Sequence, residues 1–288
     1  MRSRIIGRMR QHIQGIDHVV VVVRDLDAAR DSYTRMGFTV TPRGHHSLGS
    51  KNHCVMFGED YLELLWSPEG TPHPSRQYYT EFARAGEGVA SIALRTASAR
   101  RAYTEMLWGG FAPSDPVEFA RPVELPGGSA EARFRVTMAA AERTPGARLF
   151  ACEHLTRELV WRPEYQRHAV GATALAAVAI VADDVRAAAR PYERFFDSPA
   201  RPIDEGVLVE TGTAPIAFVT ARALGLRLPG VVLGRRPAPF AAALFVRVAD
   251  REAAAAALEA GGLRPARMPD GSVAIGADRA HGTAIVFG

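Results

Sequence analysis

Two polar residues stand inside otherwise apolar segments of this chain, and both are of types that bind metal ions. His18 opens a run of valines in GIDHVVVVVRDLD, residues 15–27, and Glu63 is the acid in YLELLW, residues 61–66. A carboxylate in so apolar a strand is costly unless it is paired or bound to a metal. A salt bridge to an arginine such as Arg43 is the alternative for Glu63. For His18 the alternative is a core histidine bonded to a backbone group or a carboxylate.

A third candidate ligand comes from ARLFACEHLT, residues 147–156, where Glu153 and His154 are neighbours. Successive side chains of a strand point to opposite faces, so at most one of the two can enter a common site. Hydropathy does not decide between them. By the same alternation, His18 shares a face with Val20 and Val22.

Three further histidines lie close together in GHHSLGSKNH, residues 44–53. The segment is rich in glycine and polar donors, as expected of a loop or strand edge that lines the mouth of a site. We expect substrate contact or acid–base support from this segment. His53 is the candidate general base, because NHCVMF places it near a strand. Solvated loop histidines are the alternative, most of all for His45.

Composition limits the partners of such a site. The chain has 288 residues and a formal net charge of +4, with 35 Lys plus Arg against 31 Asp plus Glu. The arginines are spread along the chain, so we expect no nucleic-acid partner. Cys54 and Cys152 are the only cysteines, which favours a reducing compartment. Neither a signal peptide nor a membrane span is indicated, so we expect a cytoplasmic protein.

The elements that carry these residues repeat along the chain. A buried strand, a helix ended by Gly37 and three shorter strands, predicted at FTVTP, NHCVMFG and YLELLW, form one βαβββ module. Similar modules begin at about residues 16, 88, 172 and 240. The prediction is an α+β protein of four βαβββ modules, preceded by a lead-in over residues 1–14. Two such modules side by side would curve their sheets around a shared cleft.

The module order, the opening GIDHVVVVVRDLDAARDSYTRMGFTV and the segment TPRGHHSLGSKNHCVMFGEDYLELLW resemble the vicinal oxygen chelate superfamily, specifically its glyoxalase-like domain proteins. The resemblance implies that paired modules form a cleft that commonly binds a divalent ion (Zn, Fe(II), Mn or Ni), with ligands from first and last strands. It covers residues 15–168 strongly. Residues 169–288 would be a second, degenerate pair of modules without metal ligands.

The resemblance also implies which residues bind the ion. His18 and Glu63 match the positions of the first-strand histidine and the last-strand glutamate. His154 is favoured over Glu153 because His-Leu-Thr at that place resembles the family pattern. The three would form a set of two histidines and one carboxylate with open positions. Module 2 departs from the family, since Ser91 stands where a second first-strand histidine is expected.

Five residues are expected to contact the substrate. Ser91 would leave its corner of the site to water or a substrate oxygen, and Trp161 could close one end of the cleft, with packing between the two halves as the alternative. The full set is His46, Asn52, Tyr61, Ser91 and Trp161.

The expected function is that of a metal-dependent isomerase or lyase acting on a small organic molecule that chelates the ion through two neighbouring oxygens. An Fe(II) ring-cleaving dioxygenase of the extradiol type is the alternative enzyme. A metal-free protein that binds a drug or metabolite in the same cleft is the alternative outside enzymes, favoured by Ser91 and by the apolar second half. Either a monomer or a homodimer is expected.

Overall fold

The computed structural model describes residues 12–70 and 73–288, and within them one strand–helix–three-strand unit occurs four times. Of the predicted lead-in, residues 1–11 lie outside the described part. Module 1 comprises β1 (Ile16–Val22), α1 (Leu26–Arg35), β2 (Gly44–His45), β3 (Lys51–Met56) and β4 (Tyr61–Trp66). After α2 (Pro74–Ala85), module 2 comprises β5 (Gly88–Arg95), α3 (Ala99–Trp108), β6 (Val117–Leu125), β7 (Gly128–Met138) and β8 (Arg148–His154).

The second half of the chain repeats this order, with longer first strands and mostly shorter later strands. Module 3 comprises β9 (Ala172–Val181), α4 (Val185–Phe196), β10 (Arg201–Ile203), β11 (Gly206–Val209) and β12 (Ile216–Val219). After α5 (Ala221–Arg227), module 4 comprises β13 (Phe240–Val248), α6 (Arg251–Ala260), β14 (Ala266–Arg267), β15 (Val273–Ile275) and β16 (Ala284–Phe287). The predicted α+β fold of four modules is confirmed. The strand predicted at FTVTP is wrong: the first short strand is β2, beyond Pro42, which has no N–H for a strand ladder.

Within each module the four strands lie side by side in the order first, fourth, third, second. Module 1 reads β2-β3-β4-β1 and module 2 reads β5-β8-β7-β6, and β1 pairs with β5 in antiparallel register. Modules 3 and 4 are joined in the same way through β9 and β13. The pairing of Ala241 with Val89 joins the two halves into one sheet, and a bridge between Gly146 and Phe240 lies beside it. The first strands of the four modules therefore lie together at its centre.

Each module helix begins at a polar residue that follows the first strand. The side chains of Asp25, Ser98, Asp184 and Asp250 accept hydrogen bonds from backbone N–H groups in the first turn. These caps satisfy donors that have no partner within the helix. Because the cap stands at the same place in each repeat, each helix leaves its strand in the same way.

The two faces of the first sheet have different neighbours. Val19 and Val21 pack in the main core together with Tyr33 of α1, whereas Val20 and Val22 pack in a second cluster that includes phenylalanines of module 2. This alternation, predicted for β1, puts the second cluster on the face that carries His18. No helix in the described ranges is long and apolar enough to cross a membrane.

Candidate functional site

His18 lies in β1 at the base of a cavity on the sheet face opposite α1. Its side chain is only 3% exposed and stacks on the ring of Tyr61, with 4.3 Å between ring centroids. The pairing of β1 with β5 is irregular between Ile16 and His18. Such irregularities re-aim side chains, and here the carboxylate of Asp17 lies 2.7 Å from His18 Nδ1. With Nδ1–H donating to Asp17, Nε2 is free to accept or to ligate.

Asp17, His18 and His154 form what we call the inner cluster. Oδ2 of Asp17 lies 2.8 Å from His154 Nε2 as well as accepting from His18, and potential ligand atoms of the three residues lie within 4.8 Å of one another. Burial opposes ionisation of Asp17, but the hydrogen bonds from His154 and His18 outweigh it and hold the pKa of Asp17 well below its usual value. The inner cluster is therefore a buried carboxylate shared by two imidazoles.

Glu153 and His154 point to opposite faces of β8. His154 has the rings of Phe134 and Trp161 around it at 5.2 and 4.9 Å. Glu153 accepts hydrogen bonds from the backbone N–H of Ala99, at the start of α3, and from Arg135. Of the two alternatives, His154 is the one beside His18, and Glu153 is occupied at the start of a helix.

The other nitrogen of His18 faces Glu63. His18 Nε2 lies 3.8 Å from Glu63 Oε2, beyond hydrogen-bond distance, and Asn52 Nδ2 donates to Glu63 Oε1 at 2.6 Å. The alternative of an Arg43 salt bridge to Glu63 is wrong, because Arg43 pairs with Asp27 on the surface. Glu63 is thus held by an amide, with one oxygen directed at His18.

The imidazole of His18 separates the expected ligands into two groups. Its Nδ1 side carries Asp17 and His154, and its Nε2 side carries Glu63. The predicted set of His18, Glu63 and His154 is therefore not a single cluster, since the three groups within 4.8 Å of one another include Asp17 in place of Glu63.

His46 lies on the far side of Glu63. Its Nε2 is 3.9 Å from Glu63 Oε1, and its Nδ1 is 2.8 Å from Ser50 Oγ. Burial, together with the nearby charges of Arg76 and Arg121, lowers the pKa of His46 well below its usual value. The imidazole is therefore neutral at neutral pH and available as a base or a ligand.

The cavity has a volume of about 40 Å³, which rises to about 520 Å³ of empty space when the open solvent at its mouth is counted. Its polar wall combines the His18–Glu63 pair with His46, Asn52 and two arginines, Arg76 and Arg121. Its other lining residues are apolar, aromatic or thiol side chains: Cys54, Tyr61, Tyr79, Phe119, Phe134, Val136, Met138, Phe150 and Cys152. Burial raises the pKa of the Cys54 thiol to about 12, and that of Cys152 lies well above its usual value for the same reason. Both are neutral thiols rather than nucleophiles.

Four expected site residues do not line this cavity: His154, which lies behind His18 beside Asp17, and His53, Ser91 and Trp161. His53 alternates with Asn52 and Cys54 along β3, so it faces away from the cavity, and its Nδ1 contacts the carbonyl oxygen of Thr41 at 2.7 Å. The expectation that His53 is the general base is corrected by this strand parity. Ser91 is fully buried in β5, and Trp161 makes T-shaped contacts with His154 and Tyr61, both in the first half of the chain.

Comparison with known families and structures agrees with this architecture. The model of the glyoxalase-like domain family matches residues 16–196, which is more than half of the chain. The chain belongs to the glyoxalase-like domain family. Its fold is that of the vicinal oxygen chelate superfamily, as the sequence resemblance implied. No curated protein sequence matches it.

Several solved structures share the fold of this glyoxalase-like protein at low sequence identity. A hypothetical protein from Staphylococcus aureus has a TM-score of 0.66 and 12% identity over 95% of this chain and 98% of its own. A mutant of 4-hydroxymandelate synthase from Streptomyces coelicolor has a TM-score of 0.54 and 17% identity, over 90% and 78%. A variant of homoprotocatechuate 2,3-dioxygenase from B. fuscum has a TM-score of 0.55 and 12% identity, over 96% and 71%. At these identities the likeness shows the fold alone.

Three polar residues of the site, Asp17, Arg76 and Arg121, were not predicted from the sequence. Asp17 precedes His18 and by strict alternation would point away from it. Arg76 lies on α2, a helix outside the repeated modules, and Arg121 lies in β6 among residues that are mostly half-buried. Only Asp17 had a signal in the sequence, as an acid at the start of an otherwise apolar strand.

Proposed function

We propose that this glyoxalase-like protein is a metal-dependent enzyme that acts on a small organic molecule with two neighbouring oxygens. His18 Nε2 and Glu63 would hold a divalent ion at the base of the cavity. Asp17 orients His18 from behind, and His154 acts by fixing Asp17. The reaction class that fits is proton transfer of the isomerase or lyase type.

The observation that carries this proposal is the gap of 3.8 Å between His18 Nε2 and Glu63 Oε2. Ligand atoms that are each about 2.1 Å from one ion lie roughly 3 to 4 Å apart. The gap therefore suits two ligands of one ion better than a hydrogen bond, and both groups line the cavity. A ligating histidine commonly donates its other N–H to a carboxylate, as His18 is placed to do toward Asp17.

An ion at this position supplies Lewis acidity that polarises the oxygens of a bound substrate. The chain's own residues prepare the site. Asn52 holds Glu63 by a hydrogen bond of 2.6 Å, and the ring of Tyr61 supports the His18 imidazole by stacking. Neutral His46, on the other side of Glu63, would accept the proton removed from the substrate.

Elemental analysis of the purified protein tests the proposal. We expect close to one divalent ion per chain in the wild type, loss of the ion in His18→Ala and Glu63→Gln, and retention in His53→Ala. His53→Ala is the matched control, because it removes a histidine of β3 that faces away from the cavity. Equal metal content in all four proteins would overturn the assignment of His18 and Glu63. The identity of the ion separates the enzyme classes: iron favours ring-cleaving dioxygenase chemistry, and zinc, nickel or manganese favours an isomerase or lyase.

A metal-free binding protein is the second candidate, and one observation favours it. The rings of Phe150 and His18 form a T-shaped contact with 5.5 Å between centroids, and Ser91 replaces the histidine expected in module 2. The first strand of module 2 therefore offers no histidine to an ion at His18. Absence of metal from the wild type, with ligand binding unchanged in His18→Ala, would favour this candidate.

A further inference from the structure

Two arginines in the cavity wall have guanidinium groups that are only partly paired. Arg76, on α2, is 6% exposed, and Arg121, on β6, is half-buried. Within the described ranges, Nε of each is buried without a hydrogen-bond partner. Both side chains line the same cavity as His18 and Glu63.

Glu63, the acid of the cavity wall, forms no salt bridge with either arginine within the described ranges, although its charge acts on Arg76. Glu63 is directed to other partners: Asn52 at 2.6 Å, His18 at 3.8 Å and His46 at 3.9 Å. The polar wall thus places two guanidinium groups beside one carboxylate. Burying a charge without a partner is costly, so the orphaned Nε of Arg76, the more buried of the two, indicates an anionic ligand.

Aromatic rings hold Arg76 in place. Its guanidinium carbon lies 5.2 Å from the ring centre of Phe119 and 5.9 Å from that of Tyr79. Such contacts stabilise a cation without using its N–H donors. The donors of Arg76 therefore remain available to a ligand. Phe119 in turn stacks on Phe134, with 5.2 Å between centroids, which extends an apolar surface along the wall.

We propose that the cavity binds a small aromatic carboxylate, with its anionic group between Arg76 and Arg121 and its ring against the Phe119–Phe134 surface. A guanidinium presents paired donors that match the two oxygens of a carboxylate. The proposal rests on the proposed function for the reactive end of the substrate, which would face His18 and Glu63. The anion site adds a contact for the other end of the substrate, which His18 and Glu63 do not specify.

Calorimetric titration with benzoate, and with benzamide as a neutral probe of the same shape, tests the proposal without added metal. We expect benzoate to bind the wild type in preference to benzamide. Arg76→Met and Arg121→Met should each weaken benzoate about 10- to 100-fold, as expected for loss of a charge-assisted hydrogen bond, and leave benzamide unchanged. Arg84→Met, which removes an exposed arginine paired with Glu69, is the matched control and should change neither.

Thermal unfolding distinguishes a binding role from a packing role. If Arg76 is held for a ligand, Arg76→Met removes an unpaired buried charge, and its unfolding midpoint in buffer should equal or exceed that of the wild type. Arg76→Lys keeps the charge and should retain part of the benzoate affinity. These variants are informative because neither is expected to prevent folding.

Three results would overturn the proposal: equal binding of benzoate and benzamide, unchanged benzoate affinity in both methionine variants, or tighter binding of inorganic phosphate than of benzoate. Failure of the metal proposal leaves these outcomes unaffected, because they compare ligands and arginine variants at the same metal content. Conversely, a metal-loaded protein that does not discriminate benzoate from benzamide would contradict only the anion site.

Discussion

Asp17 is the residue that decides how the two histidines of the site are used. Its Oδ2 lies 2.7 Å from His18 and 2.8 Å from His154, and its side chain is fully buried. Because one carboxylate holds both rings, the orientation of His18 toward the cavity depends on Asp17. On the other side of the carboxylate, Nε of Arg95 lies 3.6 Å from Oδ1.

Asp17→Asn should therefore weaken both the fold and the site. Loss of hydrogen bonds to a charged, buried acceptor is expected to lower the free energy of unfolding by about 1.5–3 kcal/mol. Metal affinity should fall about 10- to 100-fold, as is usual when the group that orients a ligating histidine is lost. Urea denaturation and metal titration measure the two effects. Glu153→Gln, on the opposite face of β8, is the control for metal affinity; an equal loss in this variant would contradict the role given to Asp17.

The module helices pack closely where the first and last modules meet. The residue after α6, Gly261, lies against the end of α1, and its carbonyl oxygen accepts a hydrogen bond from Arg35 Nε at 3.1 Å. A Cβ atom at Gly261 would lie 1.8 Å from the backbone oxygen of Arg35. By contrast, Gly225 within α5 is exposed, with open space where a Cβ would be. A close backbone contact thus requires glycine at position 261, whereas nothing near position 225 excludes a side chain.

Alanine at these two positions should have opposite effects. Gly225→Ala should raise the free energy of unfolding by about 0.5–1 kcal/mol, because alanine loses less backbone entropy in a helix. Gly261→Ala should lower it by about 1–3 kcal/mol, because the two helix ends must move apart. Thermal or urea denaturation of the two variants gives the comparison. A neutral Gly261→Ala would show that α1 and α6 do not pack as described.

The two halves of the molecule are connected by polar contacts as well as by the central sheet. Asp60, between β3 and β4, accepts a hydrogen bond from the backbone N–H of Leu175 in β9 at 2.9 Å. Thr213 of module 3 accepts one from the backbone N–H of Ile16 at 2.7 Å, next to the inner cluster. The second half therefore supports the strand that carries His18.

Stability should depend on pH through Asp60. Burial raises its pKa from 3.8 to about 6, although the hydrogen bond from Leu175 acts in the other direction. The folded state then binds more protons than the unfolded state between about pH 4 and 6, so the free energy of unfolding falls as pH rises through this window, by up to about 1.4 kcal/mol per unit.

Asp60→Asn keeps an acceptor for Leu175 and removes the titrating group. We expect its urea midpoint to change less between pH 4 and 6 than that of the wild type and to be higher at pH 7. Asp183→Asn, at an exposed position, should leave the pH profile unchanged. If Asp60→Asn and the wild type have the same profile, Asp60 is not the buried acid described.

Much of the architecture could be predicted from the sequence, because strand alternation and repeated helix caps are local signals. The four modules and the cavity-facing side of β1 follow from them. The same alternation, applied to β3, would have placed His53 opposite Asn52 and away from the cavity. Contacts between segments that are distant in the chain could not be predicted. They are the hydrogen bond between Asp17 and His154, and the position of Arg76, on α2, in the wall of the cavity.

The most direct test of the central proposal is an anomalous difference map from crystals of this protein grown with Mn²⁺ or Zn²⁺. Our account predicts one peak per chain between His18 Nε2 and Glu63, within about 2.3 Å of both. A peak between Asp17 and His154, or none near His18 with the metal bound elsewhere, would contradict it.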